Sequence, residues 1–306
     1  MNTTYFFKAV ITLNTYLLLF LNNTLAQGVG YNKDLSKIEI PSTKIKEQVV
    51  IHKGFTLMYS EKHEQARWVA YELNSNLNYG SVSRTNQFTK DKNVKTETAS
   101  GDDYINSGYD RGHLVPAADM SYSYSTMLES FYYSNISPQL PKFNRGIWKD
   151  LEYQVRNWGS KNKLYVVTGP VLSDNLRTIG PNKVSVPNYF FKALLGISES
   201  DTLGIAFLLP NSNLHDEISR YTITIDSLES LLEIDFFYQL PDRLEERVEK
   251  TSCYKCWNWE SSNNASVKSV NIVTSIQCRG MTQAGSRCKR KTKNPNGLCF
   301  QHTNQH

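Results

Sequence analysis

Beyond its first 26 residues this 306-residue chain has no apolar run approaching the ~20 residues that a membrane-spanning helix needs. It also lacks internal repeats and any collagen-like or coiled-coil bias. Five cysteines are too few for a disulfide-dense mini-protein. With 40% hydrophobic, 12% aromatic and 21% charged residues, an ordinary globular core remains, for about two domains at ~150 residues each. Acidic residues are absent from 261–306, which holds seven of the basic ones. The net charge of +5 therefore leaves residues 1–260 at −2. Nucleic-acid binding by the main body must rest on placed arginines and not on bulk charge.

At the N-terminus, Lys8 precedes an apolar run over 9–21, diluted by Thr12, Asn14 and Thr15. Thr24-Leu25-Ala26 gives it a small-residue exit. This predicts a secretory signal cleaved after Ala26, with an uncleaved N-terminal anchor as the alternative. Either sends the protein out of the cytoplasm, secreted or periplasmic. Residues 27–50 read as loosely ordered. Strand patterning covers 55–59, 67–73, 163–168, 189–195, 203–209 and 221–225, and residues 74–108 read as a long loop. Asp226 with Glu229 makes a capping-box-like start for a helix through Ile234, and Pro241 opens another. Without a βαβ repeat, the expected class is α+β with a largely antiparallel sheet flanked by helices.

The chemistry concentrates between residues 109 and 158. Asp110-Arg111-Gly112-His113 is followed by Ser134-Asn135-Ile136-Ser137-Pro138-Gln139, then by Asn144-Arg145-Gly146-Ile147-Trp148 with Leu151, Glu152 and Arg156. A histidine can accept a proton near neutral pH, hard oxygens suit a magnesium-like ion, and arginines hold phosphate. Those are the parts of a metal-assisted phosphodiester hydrolase. Ile147, Trp148, Leu151, Val155 and Trp158 at 3-and-4 spacing predict a helix over 144–158. At ~100° per residue, Glu152 and Arg156 fall about 80° and 120° from an inward-facing Asn144, bordering one cleft. Singly, each has a bland reading: a structural histidine, a solvated Glu152/Arg156 pair, Asn144 as a helix cap, Gly112 and Gly146 as turn residues.

Taken together, in this order and spacing, the three motifs resemble the DNA/RNA non-specific endonucleases of the ββα-metal type, over roughly residues 50–260. The resemblance implies a ββα-metal finger within a domain at 51–260. It implies His113 as general base, Asn144 as the direct protein ligand of hydrated Mg2+ (or Mn2+), and Glu152 as a ligand through water. Asn135 would stand near the histidine, and Arg111, Arg156 and Arg84 would stabilise the phosphate. DNA and RNA are the implied substrates, and a homodimer is compatible with the likeness.

Residues 261–275 read as a polar linker, and 276–306 as a unit too small to rest on a core alone. Cys278, Cys288, Cys299 and His302 are spaced C-x9-C-x10-C-x2-H, which would close a tetrahedral structural zinc site. Disulfides compete, since exported proteins meet oxidants. Cys253 and Cys256 form one short-loop pair and leave three thiols, an odd number that favours zinc. The expected function is a secreted, magnesium-dependent endonuclease of DNA and RNA. The rival is a catalytically decayed protein that binds nucleic acid or a surface through its basic Cys/His module.

Overall fold

The structure, a computed structural model, describes residues 37–257 except 78, 199 and 200, and 276–302 except 283, 284, 293–296, 300 and 301. The signal at 1–26 and the linker at 261–275 lie outside the described residues. Among those described, no helix is long and apolar enough to cross a membrane.

Apart from short two-residue pairings, the strands are β1 (Gln48–Ile51), β2 (Thr56–Ser60), β3 (Gln65–Leu73), β4 (Asp110–His113), β5 (Ile136–Gln139), β6 (Lys163–Pro170), β7 (Tyr189–Ile197), β8 (Thr202–Pro210) and β9 (Thr222–Ile223). Seven of them form one sheet, in the order β9-β8-β7-β6-β3-β2-β1, with every pair antiparallel. β4 and β5 form a separate hairpin.

Successive residues of a strand point to opposite faces, and here both faces are buried. Val69, Tyr71, Val166, Phe190 and Leu194 line one side of the sheet, and Trp68, Ala70, Val167, Phe191 and Ala193 the other. That is why 189–195 and 203–209 read as unbroken apolar runs and not as alternating ones. Helix α2 (Lys149–Gly159) closes the first face with Leu151, Val155 and Trp158. It follows α1 (Tyr124–Glu129) in the chain. Helices α3 (Ile225–Leu232) and α4 (Asp242–Glu249) close the second with Ile225, Leu228 and Val248. Each such side chain contributes about 1.5–3 kcal/mol by leaving water.

Three local readings need correction. Order begins well before residue 51: Ser42–Thr43 pairs with Ile234–Asp235, and β1 pairs with β2. β1 is an edge strand whose Val49 and Ile51 remain exposed, so its apolar pattern is weak. The cap of α3 is Thr224, whose hydroxyl accepts from the Ser227 amide at 3.1 Å, and Asp226 sits in the first turn. Glu229 accepts instead from the Phe236 amide at 2.8 Å. The loop 74–108 contains one helical turn, Gly101–Tyr104. Cys253 and Cys256 are joined as a disulfide.

Candidate active site

The hairpin sets the first half of the site. Its register pairs Asp110 with Gln139, Arg111 with Pro138, Gly112 with Ser137 and His113 with Ile136. Gly112 is demanded here, because a Cβ at that position would lie 2.2 Å from Gln139 Oε1. Arg111 and His113 share the opposite side of β4 from Gly112. The Arg111 guanidinium lies over the Phe88 ring at 4.0 Å, and Arg84 over Phe131 at 4.9 Å. His113 fits between those two rings, 5.6 Å from Phe88 and 4.7 Å edge-on to Phe131.

His113 is buried and its Nε2 makes no hydrogen bond. Burial, reinforced by the charges of Arg84 and Arg111, pulls its pKa down to about 3. The imidazole is therefore neutral at physiological pH. Asn135 is wholly buried, and its side chain is spent on backbone: Nδ2 donates to the Val115 and Ser130 carbonyls, and Oδ1 accepts from Val115. It braces the exit of β4 just past His113.

The second half of the site follows β5. Pro141 starts a helical turn, but residues Asn144–Trp148 form a wide π-type turn broken at Gly146 (φ −104°, ψ −119°) before α2 begins. The uninterrupted helix expected over 144–158 is thus kinked, and helical phase does not orient Asn144. Asp110 does so instead. Asn144 Nδ2 donates to Asp110 Oδ2 at 2.9 Å, which turns the amide oxygen away as a hard acceptor.

Along α2, Glu152 and Arg156 do not pair as a surface i,i+4 couple. Arg156 forms an ion pair with Asp119, which is fully buried and also accepts from the Tyr71 hydroxyl at 3.0 Å. Glu152 is half-buried, and burial pushes its carboxyl up. The nearby Asp119 charge adds to this, while Lys192, Arg156 and Arg84 pull the other way. Lys192 is fully buried in the middle of β7, donates to Thr168 Oγ1 at 3.1 Å and lies 4.8 Å from the Trp148 ring centre. Burial pulls its ammonium down, and Glu152 and Asp119 oppose that.

Charge interactions of Arg84 with both His113 and Glu152 place it at the junction of the two halves. The side-chain oxygens of Asn144 and Glu152 are hard donors, the kind a magnesium-type ion prefers while keeping several waters. Sequence reasoning passed over four contributors. Asp110 and Gln139 stood inside the quoted motifs. Lys192 was visible as a charge within Phe190-Phe191-Lys192-Ala193, and Asp119 carried no local signal. Gln139 is wholly buried with neither amide atom bonded, directly against Gly112.

In the C-terminal segment Cys278, Cys288 and Cys299 lie outside any disulfide and are buried with His302. Cys288 and Cys299 sulfurs are 3.8 Å apart, and His302 Nδ1 is 3.4 Å from Cys278 Sγ and 3.3 Å from Cys299 Sγ. A zinc ion bound at about 2.3 Å to sulfur and 2.0 Å to nitrogen gives tetrahedral edges of about 3.8 and 3.5 Å. Burial pushes the Cys278 thiol up, but amides of Cys299 and Gly280 and the His302 ring outweigh it and favour thiolate.

The sequence profile of the DNA/RNA non-specific endonuclease family matches residues 33–243. The mitochondrial nuclease EXOG of Danio rerio is 29% identical over 228 residues, covering 69% of this chain and 66% of its own length. A nuclease of Nostoc sp. is 30% identical over 214 residues, covering 66% of this chain and 77% of its own. The match thus spans just under two thirds of the Danio rerio relative. A solved structure of an EndoG/EndoGI complex superposes with a TM-score of 0.63 at 28% identity, over 72% of this chain and 96% of the other.

Proposed function

The chain belongs to the DNA/RNA non-specific endonuclease family, and on that premise we propose that it hydrolyses phosphodiester bonds of DNA and RNA with magnesium or manganese as cofactor. The observation that carries this reading is one juxtaposition. Strand β4 carries both His113, buried with an unbonded Nε2, and Asp110, which holds the Asn144 amide, while the charge of Arg84 acts on both His113 and Glu152.

In this reading His113 takes a proton from the attacking water, in line with the departing 3′ oxygen, so that the product carries a 5′ phosphate. Arg84 and Arg111, fixed over Phe131 and Phe88, meet the phosphate oxygens. Arg156 is held by Asp119 and adds positive charge from the α2 side. Glu152 orients water near Asn144, and Asn135 keeps the strand after His113 in place. Asn144 would hold the ion, which when bound would offset charge on the phosphate and the leaving oxygen. Contacts made to phosphate and not to base edges imply little sequence preference.

Two further parts of the reading concern the ends of the chain. Residues 1–66 contain no arginine, unlike the Arg-rich transit peptides of mitochondrial import. This supports export through the 1–26 leader even though the Danio rerio relative is named mitochondrial. The Cys278, Cys288, Cys299 and His302 cluster holds a structural zinc ion, supported by its tetrahedral edge lengths.

The test is degradation of plasmid DNA and of RNA by the full chain, with and without chelator, beside His113→Ala. Chelator-sensitive cleavage of both polymers that vanishes in the variant is the expected result. Cleavage that ignores chelator, or survives in His113→Ala, sinks the reading.

A further inference from the structure

On the sheet face opposite α2, the packing of α3 against α4 gathers five carboxylates: Asp226 and Glu229 on α3, Asp235 just after it, and Glu245 and Glu249 on α4. Ligand oxygens of Asp226, Glu229 and Glu249 all lie within 4.8 Å of one another, and so do those of Asp235, Glu245 and Glu249. Glu249 is common to both sets. We propose that this cluster is a calcium-type divalent cation site, separate from the catalytic centre and centred on Glu249.

Glu249 carries the argument beyond a mere abundance of acid. Its residue is only 8% exposed, yet its Oε1 is buried with no hydrogen-bond partner. A buried acceptor left unmade costs about 1–3 kcal/mol, more when charged, so a fold retains one where something else fills it. Glu249 is also the last residue of α4, where the negative end of the helix dipole disfavours a carboxylate and favours a cation. The i,i+4 spacing of Glu245 and Glu249 and the i,i+3 spacing of Asp226 and Glu229 put like charges on shared faces, again unfavourable without compensation.

The charges around Glu249 and Glu229 are themselves acidic. Burial first, then these neighbours, pushes Glu229 to about 7 and Glu249 to about 8. Lys250, whose ammonium pairs with Glu246, also lies within charge reach of Asp226 and Glu249.

The ligand chemistry selects the ion. Several carboxylates converging on one point suit calcium, which takes six to eight oxygens in flexible geometry. Magnesium demands an octahedron and keeps its waters. The position also suits a stabilising role, since the ion would tie α3 to α4 on the far side of the sheet from His113.

The experiment is calcium titration by calorimetry at pH 7.5 on the full chain freed of divalent ions over chelating resin. It uses the parent, Asn144→Ala to silence the catalytic site, Glu249→Gln and Asp226→Asn. Expected are one calcium ion bound in parent and in Asn144→Ala, none in Glu249→Gln, and at least tenfold weaker binding in Asp226→Asn. Saturating calcium should raise the parent's Tm by about 5 °C or more and leave Glu249→Gln unmoved. Asp226→Asn decides the matter should Glu249→Gln fold poorly. No uptake by Asn144→Ala, or uptake unchanged by both cluster variants, overturns the proposal. So does stability that rises on acidification with no response to calcium, which assigns the cluster to shared protons.

Discussion

Asp110 grips Asn144 and Arg145 at once, accepting from Asn144 Nδ2 at 2.9 Å and from Arg145 Nε and Nη2 at 2.8 and 2.6 Å. The strand that carries His113 therefore also aims the amide proposed to hold the metal. Asp110→Ala should raise the magnesium concentration for half-maximal cleavage about 10- to 100-fold, the usual cost of losing a group that orients a ligand. Arg145→Ala should change it little, because Arg145 is exposed and solvent screens its pair with Asp110. Magnesium titration of the cleavage rate checks both. An Asp110→Ala curve that overlays the parent removes this orienting role.

His113→Ala should lower kcat by about 10²- to 10⁴-fold with substrate binding retained, as expected for loss of a general base. Its titration also enters stability. The folded pKa is about 3 against 6.5 in the unfolded chain, so below pH 6.5 the unfolded state takes up a proton that the folded state refuses. Stability from this residue is thus lost as pH falls from 6.5 toward 3, by about 1.4 kcal/mol per unit. Chemical denaturation at pH 7 and pH 5 should show a smaller acid loss in His113→Ala than in the parent. Equal losses would mean that His113 is solvated and titrates normally.

The core strands were legible because five of them are long, buried on both faces and rich in β-formers. The edge strand β1 was not, since two of its three apolar residues, Val49 and Ile51, face water. The motifs single out His113, Asn144 and Glu152 as candidates, but not what orients them. Helical phase misplaced Asn144 because a glycine breaks the turn at Gly146, a backbone event with no side-chain pattern. Asp119 and Lys192 come from segments 33 and 40 residues away from Glu152, and only the sheet brings their charges near it.

Lys192 gives a sharper test of the Glu152 environment. It is the leading charge that lowers the Glu152 pKa against the burial that raises it. Lys192→Met should push that carboxyl further up, leaving more of it protonated at pH 7. Cleavage should fall about tenfold or more at pH 7 and recover in part by pH 9, where the carboxylate re-forms. A pH–rate profile reads this directly, and a uniform drop at every pH would reduce Lys192 to a packing role against Trp148.

The C-terminal segment should carry one zinc ion and be dispensable for cleavage. Every residue given a catalytic role lies between Arg84 and Arg156, whereas the four zinc-type donors lie between Cys278 and His302. The cluster has a thiolate-favouring Cys278 and edge lengths of 3.3–3.8 Å, and a unit this small needs metal to fold. Truncation after Glu260 keeps the Cys253–Cys256 disulfide and Trp257, which is buried in the first-face core with Trp158, so the nuclease fold should survive. Metal analysis should find about one zinc per full chain, lost in Cys288→Ser and in the truncation, with magnesium-dependent cleavage retained in both. Cys278, Cys288 or Cys299 found in disulfides without zinc would overturn the metal assignment. A well-folded truncation that no longer cleaves would show instead that the basic tail holds substrate, since 261–306 supplies seven positive charges and no negative ones.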